Sequence, residues 1–194
     1  MNRRNLLEVD WSKIPAPADD GAAAHLVGMT IPPVSLVATD DTSVTLSALR
    51  GRAVVFAYPR TGEPGKIALV DDWDMIPGAR GCTPQTCAFR DLFAELKAAG
   101  ARNVFGLSTQ SNEYQTEMAS RLHLPFPVLS DQNLKLTRAL DLPTMQVAGL
   151  TLIKRLALIV DDARITHVFY PVFPPDRNAA DVLAWVRENR APSS

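Results

Sequence analysis

An α/β fold is predicted by three features of the sequence. Apolar runs of strand length alternate with amphipathic stretches of helical spacing. Two of the runs, Ala53-Val54-Val55-Phe56-Ala57-Tyr58 and Asn103-Val104-Phe105-Gly106-Leu107-Ser108, are nearly continuous, the pattern of strands buried on both faces. Two further pairs of runs flank acidic turn residues and read as antiparallel hairpins. At 194 residues the chain has the length of one domain, with enough bulk for a substantial core.

The first 27 residues lack periodicity and carry Pro15, Pro17 and Asp19-Asp20-Gly21. They read as a leader lying over the domain, with Leu6, Leu7, Trp11 and Ile14 as anchors, or as a disordered arm. The domain proper is expected over residues 28–194. Val34-Ser35-Leu36-Val37 and Val44-Thr45-Leu46 flank Asp40-Asp41 as an N-terminal hairpin, and residues 47–51 form a short helical turn. The strand at 53–58 follows. The connection from Pro59 to Gly81 is long for a strand-to-helix link, and loops of that size are usually functional or mobile. Trp73 with Asp71, Asp72 and Asp74 reads as a lid over the cysteines that follow. The aspartates lack the further ligands of a calcium loop and read better as a solvated acidic face.

From Gln85 a helix is predicted, with Cys87, Phe89, Leu92, Phe93 and Leu96 at helical spacing and Gly100 as its stop. After the strand at 103–108 come a helix over 112–122, a short strand at 127–130 and a helix over 133–140. A hairpin of 152–160 and 165–170 turns around Asp161-Asp162-Ala163. A closing helix spans 178–190, with Val182, Leu183 and Val186 inward.

The only two cysteines, Cys82 and Cys87, lie in Gly81-Cys82-Thr83-Pro84-Gln85-Thr86-Cys87, where a Gly/Pro-rich loop enters the helix. Cys82 falls in the first turn or just before it, near free backbone N–H groups and the positive end of the helix dipole, which favour a thiolate. Arg80 adds positive charge two residues away. In an intact helix, residues five apart have Cα atoms roughly 8–9 Å from each other, too far for a disulfide. Bridging the pair requires the first turn to open, and Pro84 weakens that turn by pushing Thr83 from helical angles. Such a pair suits a two-step redox cycle. The plain alternative is two small buried hydrophobes.

Composition narrows the function. Hydrophobic residues make up 46% and charged residues 21%, ordinary for a globular protein, and the net charge is −1. No electrostatic case exists for nucleic acid or an anionic membrane, and no apolar run has the length of a membrane helix. Met1-Asn2-Arg3-Arg4 is followed by Glu8, Asp10 and Lys13 rather than an apolar run, so no secretory signal is read. A cytoplasmic location is expected, where a cysteine pair is more often catalytic or redox-sensing than structural. His25, His123 and His167 make no metal-ligand spacing with the cysteines, so neither metal nor cofactor is expected.

Tyr58-Pro59, Gly81-Cys82-Thr83, Cys87 and Phe89-Arg90-Asp91 together resemble the peroxiredoxin Q group, also called bacterioferritin comigratory proteins. The resemblance continues at Gly106-Leu107-Ser108-Thr109, at Lys154-Arg155 and at His167-Val168-Phe169, and covers residues 28–190. It implies a thioredoxin-like fold, with a central mixed sheet flanked by helices. It implies a thiol-dependent peroxidase acting on hydrogen peroxide and organic hydroperoxides. Cys82 would attack the peroxide, Cys87 would resolve the sulfenic acid as an intramolecular disulfide, and Arg155 would be the family's second active-site arginine. Thioredoxin or glutaredoxin would then reduce the disulfide, and the protein would be a monomer or weak homodimer. Arg155 has a bland alternative as a strand-end surface residue.

One departure stands out. The family pattern P-x-x-x-T-x-x-C aims a threonine hydroxyl at the peroxide, but Ala79 and Met75 hold the threonine and proline places. Tyr58-Pro59 puts the proline 23 positions before Cys82 instead of seven, which reads as an insertion of sixteen residues. Thr61 and Thr83 are the hydroxyls that could substitute. Two rival functions remain. A disulfide oxidoreductase would normally use C-x-x-C rather than C-x4-C, and a non-catalytic redox sensor would need no threonine.

Overall fold

The computed structural model describes residues 9–189. Leu6 and Leu7, two of the anchors expected in the leader, lie outside them. A seven-stranded sheet is built from β1 (Ser35–Ala38), β2 (Ser43–Thr45), β3 (Arg52–Ala57), β4 (Asn103–Ser108), β5 (Val128–Ser130), β8 (Leu156–Asp161) and β9 (Arg164–Phe169). Their order is β2-β1-β5-β4-β3-β8-β9. The β3–β4 and β4–β5 pairs are parallel and the others antiparallel. Thus the sheet is mixed, helices flank it, and the N-terminal hairpin forms at its edge, as expected.

β3 sits near the middle, and all six of its residues are buried. Successive side chains of a strand point to opposite faces, so β3 feeds two cores. Val54, Phe56 and Tyr58 face one core with Cys82 and Phe89 of α1 (Cys82–Asp91), Leu96 of α2 (Phe93–Ala98), Met118 of α3 (Asn112–Arg121) and Val182, Leu183 and Val186 of α5 (Asn178–Glu188). The Phe56 and Phe89 rings stack with centroids 4.0 Å apart, which fastens α1 directly to the central strand. Ala53, Val55 and Ala57 face the other core with Leu136 and Leu140 of α4 (Lys135–Leu140). Ala23 and Leu26 of the leader are buried in this second core, and the Gly28 N–H donates to Ile165 O at 2.8 Å.

Two predicted elements divide. The helix expected from Gln85 to Gly100 is two helices, α1 and α2, separated at Leu92, whose φ of −99° and ψ of 10° leave the helical region. The break turns Phe93 onto Phe126, with ring centroids 5.8 Å apart. The run expected as one strand over 152–160 also breaks. Its first half is β7 (Leu150–Ile153), which pairs with β6 (Thr144–Val147) in a separate two-stranded sheet, and its second half is β8. At the break, the Lys154 N–H donates to Pro143 O and the Arg155 side chain turns inward. Neither β6 nor this small sheet was expected from the sequence.

The connection from 59 to 81 carries one turn of 3-10 helix, Trp73–Met75. Trp73 is buried against Ala79, Val147 and Leu152, so it rests on the β6–β7 hairpin. Asp71 and Asp72 are exposed, and Asp74 pairs with Arg80 at 3.2 Å.

Candidate active site

Cys82 is the first residue of α1, and Gly81 before it takes the left-handed conformation, with φ 104°. That angle disfavours any side chain, and the surroundings exclude one. A Cβ at Gly81 would lie 2.6 Å from Pro175 Cγ and 2.7 Å from Trp11 Cη2. The turn that presents Cys82 is therefore clamped between the leader and the segment before α5. The other residues of α1's first turns, from Thr83 to Cys87, are all buried.

Arg155 approaches from the start of β8. Its Nη2 lies 3.3 Å from Cys82 Sγ and also faces the carbonyl oxygens of Gly78 (3.2 Å), Ala79 (3.3 Å) and Arg80 (3.0 Å). Its Nη1 donates to Gln85 Oε1, and Gln85 Nε2 donates to Asn178 Oδ1 at 2.9 Å. Only 2% of Arg155 is exposed, and among the described residues its charge meets no carboxylate. Its Nε is buried without an acceptor among the described residues. A buried cation surrounded by neutral oxygens favours an anion beside it. Here the group beside it is the Cys82 sulfur, whose S–H can donate to Ala79 O at 3.5 Å.

Cys87 lies one turn further along α1, in an unbroken helix, so its Cα is roughly 8–9 Å from that of Cys82. Both thiols are free. Burial pushes the Cys87 thiol up, and the charge of Arg90 opposes this. Arg90 itself pairs with Asp91 and donates to Leu122 O at the end of α3. Tyr58 is fully buried, with its hydroxyl donating to Gln115 Oε1 at 2.9 Å; burial and then the charge of Cys82 hold it in the phenol form.

The two threonines are placed differently. Thr83 is buried next to Cys82 in the first turn of α1. Thr61 is buried at the root of the 59–81 connection. Its N–H and hydroxyl both donate to Gln110 Oε1, at 2.9 and 3.1 Å, and its carbonyl accepts from Tyr114. Ala79 contributes a backbone carbonyl to the site. Arg80 engages Asp74.

Sequence reasoning overlooked Gln85, Asn178 and the carbonyls of 78–80. Gln85 carried a signal, since it lies three residues after Cys82 and shares a helix face with it. Asn178 carried none, because only the fold brings α5 to the start of α1. Two of the three histidines are occupied elsewhere: His25 bonds Leu140 O, and His167 stacks on Trp185. Among the described residues no group of three or more His, Cys, Asp or Glu could hold a metal ion, and no helix is long and apolar enough to cross a membrane.

Comparison with known proteins gives the same direction. The redoxin family model matches residues 26–183. A chloroplastic peroxiredoxin Q of Sedum lineare is 32% identical over 158 residues, covering 80% of this chain and 75% of the relative. Peroxiredoxin Bcp of Escherichia coli is 30% identical over 167 residues, covering 84% of this chain and 96% of the relative. Among solved structures, the peroxidoxin BcpB of Mycobacterium tuberculosis superposes with a TM-score of 0.68 at 26% identity, covering 85% of this chain and 98% of the other. With a cysteine at a helix start, a buried arginine on its sulfur and a thioredoxin-like sheet behind both, the chain belongs to the redoxin family, as a thiol-dependent peroxidase of the peroxiredoxin Q and Bcp type.

Proposed function

We propose that Cys82 is the residue that attacks peroxide oxygen and that Cys87 resolves the product. The observation that carries this is the buried Arg155 guanidinium with Nη2 3.3 Å from Cys82 Sγ. The Cys82 thiolate attacks one peroxide oxygen, an S–O bond forms, and the O–O bond breaks. The sulfur loses two electrons, and the departing oxygen leaves as water or alcohol once it takes a proton. A guanidinium suits this place, since that group as a class is always charged. That of Arg155 holds the thiolate and stabilises the charge that develops on the departing oxygen. Of the two hydroxyls, Thr83 adjoins Cys82, whereas Thr61 is bonded to Gln110.

The sulfenic acid then condenses with the Cys87 thiol, forming an S–S bond and releasing water. This makes the enzyme an atypical 2-Cys peroxiredoxin. An external dithiol supplies two electrons and two protons to restore both thiols. Thioredoxin or glutaredoxin is the reductant we assign, hydrogen peroxide and organic hydroperoxides the substrates, and a cytoplasmic monomer or weak homodimer the working form. The family and the paired cysteines support these assignments. The test is one equivalent of peroxide added to each serine variant. Cys82→Ser should not react, and Cys87→Ser should accumulate sulfenic acid; swapped phenotypes would reverse the roles.

A further inference from the structure

Three buried side chains link the sulfur to the start of α5. Arg155 touches Cys82, Gln85 holds Arg155, and Asn178 holds Gln85. Arg155, Gln85 and Asn178 are 2%, 0% and 2% exposed. Donor chemistry leaves a single arrangement. A guanidinium has only donors, so Gln85 must turn its carbonyl oxygen towards Arg155. Its NH2 group then faces the other way, and in a buried site that group requires an acceptor. Asn178 Oδ1 is that acceptor, 2.9 Å away.

The two ends of the link differ in what fixes them. Gln85 has a flexible side chain that could rotate its amide and present a donor to Arg155. Asn178 opens α5, whose Ala179, Val182, Leu183 and Val186 are locked in the core. The rigid end therefore sets the flexible one. On the other side of the guanidinium, Nη2 has three carbonyls to choose from besides the sulfur. Without the hold on Nη1, the group can settle among those carbonyls and leave Sγ.

We propose that Asn178 is a positioning residue for the peroxide step: acting through Gln85, it keeps the Arg155 guanidinium on the Cys82 sulfur. This rests on Arg155 assisting Cys82 as set out above. The experiment is the rate of sulfenic acid formation, with stopped mixing, in the full chain and in Asn178→Leu, Gln85→Leu, their double variant, Asn178→Asp and Arg155→Met. Circular dichroism and thermal melting establish that each variant is folded. Loss of a hydrogen bond that serves a charged group should slow Asn178→Leu by about 10- to 100-fold. Asn178→Asp, which retains an acceptor for Gln85, should recover most of the rate. Because Asn178 acts through Gln85, the double variant should be no slower than Gln85→Leu alone. A merely structural role for Asn178 would instead add its loss to that of Gln85→Leu, and that result overturns the proposal. So does a wild-type rate in Asn178→Leu while Arg155→Met is slow. A wild-type rate in Arg155→Met would instead sink the underlying role of the arginine. If Asn178→Leu does not fold, Asn178→Ala, with no added bulk, is read in the same way.

Discussion

Arg155 is a charge buried without a carboxylate among the described residues, held by the oxygens of Gly78, Ala79, Arg80 and Gln85. Removing one oxyanion-type donor typically slows a reaction by about 100- to 1,000-fold. Arg155→Met is expected to slow peroxide consumption by that factor while the sheet and melting transition survive. A wild-type rate would remove it from the site. Thr83→Val and Thr61→Val test the hydroxyls, and at most one should show a comparable loss. Cys87 gives a pH prediction. Burial raises its thiol, so less thiolate is present at neutral pH than for an exposed cysteine. Disulfide formation after a single peroxide pulse should therefore accelerate about tenfold per pH unit from neutrality upward, until Cys87 ionises. A flat profile over that range would show that Cys87 ionisation does not limit the step. At this scale the sequence was legible where a residue type has few uses, as for two cysteines and an arginine after a strand. Amides have many uses, and Gln85 and Asn178 acquire theirs only when α1 and α5 meet.

The first turn of α1 is the element on which the proposed redox cycle turns. It is intact when both thiols are reduced, and it holds the two sulfurs apart. Closing the disulfide must open it, so hydrogen exchange over 83–89 should rise in the oxidised form; equal protection in both states would exclude the opening. The leader is expected to oppose it. Trp11 lies against Gly81, stacks edge-on with Phe173 and donates through Nε1 to Asp176 at 2.9 Å. Loss of one such ring contact or hydrogen bond is worth about fivefold in an equilibrium. Trp11→Ala should thus speed disulfide formation by about that factor and leave the sulfenic step within twofold. An unchanged rate would mean that the leader does not restrain the turn. Element boundaries were the least legible part of the sequence. Residues 152–160 are apolar apart from Lys154-Arg155, and only that pair marks the place where one strand becomes two in different sheets. The division of the long helix at Leu92 has no local marker, because Phe126, which receives Phe93, is remote in sequence.

For the whole molecule, the leader and the domain share one core. Leu26 is fully buried, Asp20 pairs with Lys154 beside Arg155, and Tyr170 donates to the same aspartate. Full burial of one leucine contributes about 1.5–3 kcal/mol. A chain starting at residue 28 should therefore lose at least about 2 kcal/mol in denaturant unfolding. Unchanged stability would make the leader dispensable to the fold. The α/β class was readable from the alternation of runs, and the central strand from its unbroken apolar pattern. The entry of Ala23 and Leu26 into the core was not, since they lack the periodicity that marks a core-facing element.

Trp11 has an optical consequence. An indole pressed against the turn that must move is a reporter placed at the moving part. Its emission depends on how much water reaches the ring, and opening the turn would expose it. Oxidation and reduction should then be visible as a shift in the protein's own fluorescence, with no dye attached. Trp73 and Trp185 provide a steadier background, one buried on the β6–β7 hairpin and the other stacked on His167. The enzyme's cycle could thus be followed by its own light, turnover by turnover.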